Sequence, residues 1–121
     1  MRKLYIVKQQ RDFDKIIKTG YLQKNSFFVI YCLKNQLPYD RFGISVGKKI
    51  GNAVHRNKYK RKLRAIIDNY KKMYVNNRDY IIILRERAKE KDYQELESSF
   101  LSLMSNIRKE IKKWKRKIII N

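Results

Sequence analysis

The chain is poor in the residues that small proteins use to lock themselves together or to run chemistry: one cysteine, one histidine, one proline and four glycines in 121 residues. A lone cysteine, Cys32, closes no internal disulfide, and with a single histidine there is no thiolate and imidazole set for a metal. Within the apolar stretch "FFVIYCL" it reads as a small buried strand residue. Long apolar runs are missing too. Stretches such as "FFVIYCL" and "YIIIL" fall far short of the roughly 20 residues of a spanning helix. Apolar residues 4–7 are fewer than the core of about 7 to 15 in a secretory signal. The expectation is a cytoplasmic protein with no membrane partner. Acids are scarce as well, 11 against 31 Lys and Arg. Metal-dependent nucleases hold Mg²⁺ with clustered carboxylates. Here the acids are scattered over helices and turns, and no pair stands at a strand end. His55 is the one candidate general base, and a solitary histidine in a basic helix reads as a contact or an exposed residue. No catalytic residue and no protein metal ligand is expected.

What remains is apolar enough to fold. Hydrophobic residues make up 43% and aromatics 12% of the chain, which suits a single domain over residues 1–121 with one core. The formal net charge is +20. Such a charge repels itself and attracts polyanions, so nucleic acid is the leading partner class.

The pattern along the chain predicts a compact α+β domain of order α-β-β-β-α-β-α. Phe13, Ile16 and Ile17 fall at helical spacing, with Gly20 placed to end a first helix near Thr19 in a left-handed conformation. "YLQKNSFFVIYCL" supplies one or two strands, and "RFGISVG" alternates as a strand packed on one face. The spacing suggests that this strand pairs antiparallel with the one before it. Asn52 is a candidate N-cap for a long helix whose stripe is Tyr59, Leu63, Ile66, Ile67, Tyr70 and Tyr74. "RDYIIILRE" is apolar on both faces and reads as a central strand. "DYQE" then opens a last helix with a capping-box pattern, carrying Leu96, Phe100, Leu103, Met104, Ile107, Ile111 and Trp114 on one side. Its tail, residues 108–117, holds seven Lys and Arg.

The densest cationic stretch is "KKIGNAVHRNKYKRKLR", residues 48–64, with eight basic side chains, one histidine and no acid. At about 100° per residue, Arg56, Lys60, Arg64 and Lys71 share one arc with Asn57 and Arg61 beside them, next to the apolar stripe. No acid stands four residues from a base until Asp68, so intrahelical ion pairs do not account for the ridge. A solvated charged face usually mixes signs, and phosphate binding explains this one better. Arg offers a bidentate fork and Lys a mobile point charge. The glycines of "GKKIGN" let backbone N–H groups approach an anion, but their spacing lacks the Walker pattern.

"SVGKKIGNAVHRNKYKRKLR" closely resembles the signature of the protein subunit of bacterial ribonuclease P. "DFDKIIKTG", "FFVIYCL", "RFGISVGKK" and "DYIIILR" follow that family's order and spacing. The resemblance covers most of residues 9–110, with the ends and the 35–40 loop unconstrained. It implies a sheet of about four strands packed by helices, with a left-handed βαβ crossover against the usual right-handed rule. It also implies a ribonucleoprotein endoribonuclease whose catalytic RNA carries the active site, requires Mg²⁺ and removes the 5′ leader from precursor tRNA. By resemblance, Lys48, Lys49, Asn52, Arg56, Asn57, Lys58, Lys60, Arg61 and Arg64 would contact the catalytic RNA. Phe13, Ile17, Tyr31, Ser45 and Lys60 would line a cleft for the single-stranded leader. Ile17 stands where the family commonly has an aromatic, which removes one stacking surface. A Phe on a short helix and a Tyr on a strand are also common core residues, so their chemistry alone does not select them. A ribosomal or RNA-chaperone protein would share the charge but not this ordered motif. A DNA module would carry a base-reading code that Asn52 and Asn57 do not make, so no DNA partner is expected.

Overall fold

A computed structural model describes residues 5–120, the last three through their backbone alone. The elements follow the expected order: α1 (Gln10–Thr19), β1 (Tyr21–Lys24), β2 (Phe28–Lys34), β3 (Arg41–Val46), α2 (Ala53–Lys71), β4 (Arg78–Leu84) and α3 (Tyr93–Ile120). Single 3-10 turns, Lys48–Ile50 and Glu86–Ala88, lead into α2 and α3. Among the described residues no helix is long and apolar enough to cross a membrane.

The four strands form one mixed sheet in the order β1-β2-β4-β3. β4 lies inside it, paired antiparallel with β2 through Ile30↔Ile82 and parallel with β3 through Ile44↔Ile82. The expected antiparallel pairing of β3 with β2 is therefore wrong. β4 is apolar on both faces and is the strand that gains most from neighbours on each side. β3 carries only Gly43 and Ser45 between its apolar residues and takes an edge. Two parallel neighbours need a long crossover, and α2 supplies it. The outer edge of β3 is met by the N-terminal segment, where Val7 N–H donates to the Phe42 carbonyl at 3.0 Å.

Alternation along the strands divides the molecule into two layers. Phe28, Ile30, Cys32, Phe42, Tyr80, Ile82 and Leu84 pack against the stripes of α2 and α3 in the main core. The other face holds a smaller cluster of Val7, Ile16 and Ile81, on which Phe13, Tyr31, Leu33 and Ile83 lean half-buried. α1, at ten residues, is about 15 Å long and covers only part of that face. Burial pushes the Cys32 thiol up to about 11 against the opposing charge of Arg78, so it stays protonated and inert.

Both predicted caps are made. The Asn52 side chain accepts from His55 N–H at 3.1 Å at the start of α2, and Asp92 accepts from Glu95 N–H at 2.8 Å before α3. Gly20 does end α1, but in an extended conformation, φ −78° and ψ 161°, not the left-handed one expected. Space demands it: a Cβ there would collide with the Ile16 carbonyl and lie 2.9 Å from that of Cys32.

The 35–40 loop, unconstrained by resemblance, is tied down by two buried carboxylates. Asp79 receives the Arg41 guanidinium at 2.9 and 2.6 Å and the Asn35 amide at 2.8 Å. Asp40 accepts backbone N–H bonds from Asn76 at 3.1 Å and Arg78 at 2.8 Å, joining this loop to the one between α2 and β4. Burial raises the Asp40 carboxyl above its ordinary value, and those N–H bonds hold it back.

Removing one partner of a buried pair strands the other charge. Arg41→Met should lower stability by about 3 kcal/mol, read as a shift of the urea midpoint at constant slope. A cost within 0.5 kcal/mol, as at ordinary surface sites, would show that Arg41 does not fasten the loop.

Candidate nucleic-acid interface

α2 is held from one side. Tyr59, Leu63, Ile66, Ile67 and Tyr70 are buried in the main core, which fixes the rotation of the helix and the direction of its cationic ridge. Lys48 and Lys49 stand exposed on the 3-10 turn before it, and Asn52, Asn57, Lys58, Arg61 and Arg64 are exposed along it. Arg56 and Lys60 are half-buried.

The turn into α2 needs its glycine. Gly51 has φ +150°, which side chains rarely adopt, and a Cβ would sit 3.0 Å from that of His55. Asn52 Oδ1 receives both the His55 backbone N–H and the His55 ring, whose Nδ1 lies 2.9 Å away. Nδ1 therefore carries the proton in this contact, and His55 is fastened to the cap. The Asn52 carbamoyl oxygen is committed to the helix, leaving its NH₂ group for an anion.

Charge is balanced elsewhere and at the far end of the arc, where Lys71 stands, and left unbalanced along the rest of it. Arg41 meets Asp79 at 2.6 Å, Lys71 meets Asp68 at 3.5 Å and Lys91 meets Glu95 at 3.7 Å. Arg78 lies over Trp114 and Arg108 over Tyr74. Among the described residues, Lys48, Lys49, Arg56, Lys58, Lys60, Arg61 and Arg64 form no ion pair. Among the described residues Arg56 Nε is buried with no acceptor, an orphan donor of the kind folded proteins rarely keep.

The second predicted surface lies on the α1 face of the sheet. Phe13 packs over β3: a Cβ on Gly43 would lie 2.8 Å from its ring and 2.8 Å from Ile81 Cδ1. Phe13 and Lys60 line one pocket of about 150 Å³ together with Val7, Gly43 and Arg64, so two of the five cleft residues meet there. Gly43 pairs with Ile81, Ile81 with Tyr31 and Tyr31 with Leu22, which places Tyr31 on the same face two strands away. Ser45 is half-buried in the adjoining row beside Ile83 and Val29. Ile17, one turn after Phe13, is 37% exposed. Phe13 and Tyr31 are both core and surface, one side of each resting on the Val7, Ile16 and Ile81 cluster.

Sequence reasoning missed four contributors to this face. Ile6 and Val7 wall the pocket because their segment pairs with the β3 edge, a tertiary event with no local signal. Arg64 reaches the pocket as well as the ridge. Leu22, 44% exposed beside Tyr31, was legible only as the second residue of a short alternating strand. Among the described residues no group of three His, Cys, Asp or Glu side chains could hold a metal ion.

Comparison with known proteins gives a consistent set of relatives. The family model described as Ribonuclease P matches residues 1–108. The "Ribonuclease P protein component" of Streptococcus pneumoniae (strain D39 / NCTC 7466) is 41% identical over 104 residues, 86% of this chain and 85% of that protein. Among solved structures, the RNase P protein of Staphylococcus aureus superposes with a TM-score of 0.80 at 36% identity, covering 85% of this chain and 94% of that one. The RNase P protein from Thermotoga maritima gives 0.75 at 34% identity, covering 80% and 92%.

An unpaired cationic ridge predicts specific anion stabilisation. Sulfate or pyrophosphate should raise the melting temperature well beyond chloride at equal ionic strength, since a ligand of the folded state stabilises it by mass action. Equal effects of the salts in a thermal melt would reduce the ridge to a site of general screening.

Proposed function

The chain belongs to the ribonuclease P protein family, and on that premise we propose that it binds the RNA of that ribonucleoprotein through the α2 ridge and receives the 5′ leader of precursor tRNA on the α1 face. The observation that carries this reading is the adjacency of two unlike surfaces. Unneutralised bases line one side of α2, and at its flank Lys60 and Arg64 share a pocket with Phe13.

Each surface suits a different form of RNA. The ridge offers forks and point charges without exposed rings, which suits the phosphates of folded RNA. Asn52 and the 3-10 turn bring N–H groups to the same place, at a helix N-terminus that favours negative charge. A phosphate that drew the Arg56 guanidinium outward would give its orphan Nε an acceptor. The α1 face offers half-exposed rings at Phe13 and Tyr31, Ser45 as a hydroxyl partner and Lys60 for the backbone, the combination a single strand uses. With Ile17 in place of a ring, stacking there rests on Phe13 and Tyr31.

In this reading the chain positions and the RNA cleaves. His55 is occupied as part of the Asn52 cap, and Asp40 and Asp79 are spent on backbone N–H groups and Arg41. The described residues hold no ligand set for Mg²⁺, and in this reading the Mg²⁺ requirement belongs to the RNA. The site of action is the cytoplasm, where precursor tRNA is matured.

Reconstitution tests the reading. The chain alone should leave precursor tRNA intact, and adding a bacterial ribonuclease P RNA with Mg²⁺ should restore 5′ maturation. Cleavage by RNA-free protein, abolished by His55→Ala, would reverse the assignment.

Paired variants separate the two surfaces. Arg56→Ala with Arg61→Ala should weaken assembly with the RNA and make its salt dependence shallower by roughly one unit per lost contact, without regard to leader length. Tyr31→Leu should leave assembly intact and weaken precursor tRNA relative to mature tRNA by about 1 to 3 kcal/mol. Loss of both affinities together in Tyr31→Leu would make Tyr31 a core residue and remove it from the cleft.

A further inference from the structure

α3 changes character along its length. Residues 93–107 carry Glu95 and Glu97 and no base, whereas residues 108–117 carry seven Lys and Arg against one Glu. The family match ends at residue 108, so this cationic half lies beyond it. It is nonetheless fixed in place. Ile111 is buried in the core, and the Trp114 ring meets Tyr21 edge to face at 5.0 Å with the Arg78 guanidinium 5.1 Å from its centre.

With Ile111 and Trp114 turned inward, Lys109, Lys112 and Arg116 fall within about 60° of one another on the outward side. All three are exposed, and among the described residues none forms an ion pair, since Glu110 pairs with Lys113 at 3.3 Å. Together with Gln23 and Asn106 they line a concavity of about 470 Å³ between α3 and β1. Glu110 and Lys113 line it too, and the Glu110 carboxylate is taken by Lys113; the remaining polar groups are bases and amides.

The α2 ridge begins away from this concavity. It starts after Val46, which pairs with Leu84 at the far end of the strands from Arg78, where Trp114 sits. β1 and β3 are the opposite edges of the sheet. The start of the ridge and this concavity therefore lie at opposite ends of the strands and toward opposite edges of the sheet, so an RNA helix seated at the start of α2 leaves the concavity uncompensated.

We propose that the C-terminal half of α3 is a second RNA-backbone site, docking a double-helical segment of the same ribonuclease P RNA that α2 engages. The inference rests on the function proposed above. A duplex is indicated because the cationic arc presents no aromatic ring, and Trp114 faces inward; single strands need such platforms, whereas a duplex is bound through phosphates alone. The same RNA is indicated because α3 lies on the opposite side of the sheet from α1, where the leader is received. An RNA already held at α2 also presents its other helices at high effective concentration.

The test is the triple variant Lys109→Ala, Lys112→Ala and Arg116→Ala, beside Arg56→Ala with Arg61→Ala, each titrated with ribonuclease P RNA over a range of KCl. The three residues are exposed, and an unchanged melting temperature verifies the fold. The triple variant should bind the RNA at least 10-fold more weakly, with the salt slope shallower by about 2 to 3 units, near 0.9 per duplex phosphate contact. Hydroxyl-radical footprinting should lose one protected duplex in the triple variant and a different patch in the double variant. Unchanged slope and footprint would overturn the proposal and leave a solvated arm. Loss of precursor tRNA affinity with RNA assembly intact would overturn it too, by placing the arm on substrate. A defect in the triple variant with a normal double variant would strike the α2 assignment and spare this one.

Discussion

A strand that is apolar on both faces has no side to give to water, and β4 is such a strand. Tyr80, Ile81 and Ile82 are each 0% exposed, so a layer must cover each face and a strand must flank each edge. The rest of the architecture meets that demand. α2 and α3 close one face, α1 with Val7 closes part of the other, and β2 and β3 saturate the edges. The incomplete cover by α1 is what leaves Phe13, Tyr31 and Ile17 at a surface, so the candidate cleft is a by-product of how a short helix caps a four-stranded sheet.

The second demand is electrostatic. With a net charge of +20, every base that can be neutralised internally lowers the self-repulsion of the compact state. The chain does this selectively: it spends its acids and ring faces on Arg41, Lys71, Arg78, Lys91 and Arg108 and, among the described residues, no acid on Arg56, Lys60, Arg61 or Arg64. Such pairs are individually weak at the surface. Their distribution therefore says more about where charge is left free than about what holds the fold.

Periodicity made the helices, the strands and the apolar stripe of α2 legible, because each is written in spacing along the chain. Asn52 and Asp92 were legible as caps because a cap bonds to an amide within three residues. The partner of β3 was not, since alternation says which face of a strand is buried and nothing about its neighbour. The anchoring of the 35–40 loop escaped for the same reason: Asp40 meets N–H groups 36 and 38 residues away. Gly20 was read correctly as a stop and wrongly as left-handed, because crowding by two carbonyls and a positive φ both select glycine. At the candidate site, the charge of the ridge could be read from composition. Its meeting with Phe13 in one pocket could not, because α1, β3 and α2 converge there only after folding.

The position of β4 also sets a timetable. β3 is complete at Val46, yet the strand between it and β2 ends at Leu84, so a growing chain holds a gap of two strand spacings, roughly 9.5 Å, until nearly 40 more residues emerge. α2 is synthesised inside that interval with no completed sheet to dock on. Contacts of such long range slow folding, and domains tend to fold as units during synthesis. The most cationic helix of the chain is thus born beside the ribosome's own RNA before its apolar side has anywhere to go. Closure of the sheet around β4 is then what gives the apolar side of the helix its seat and turns bare charge into an oriented surface.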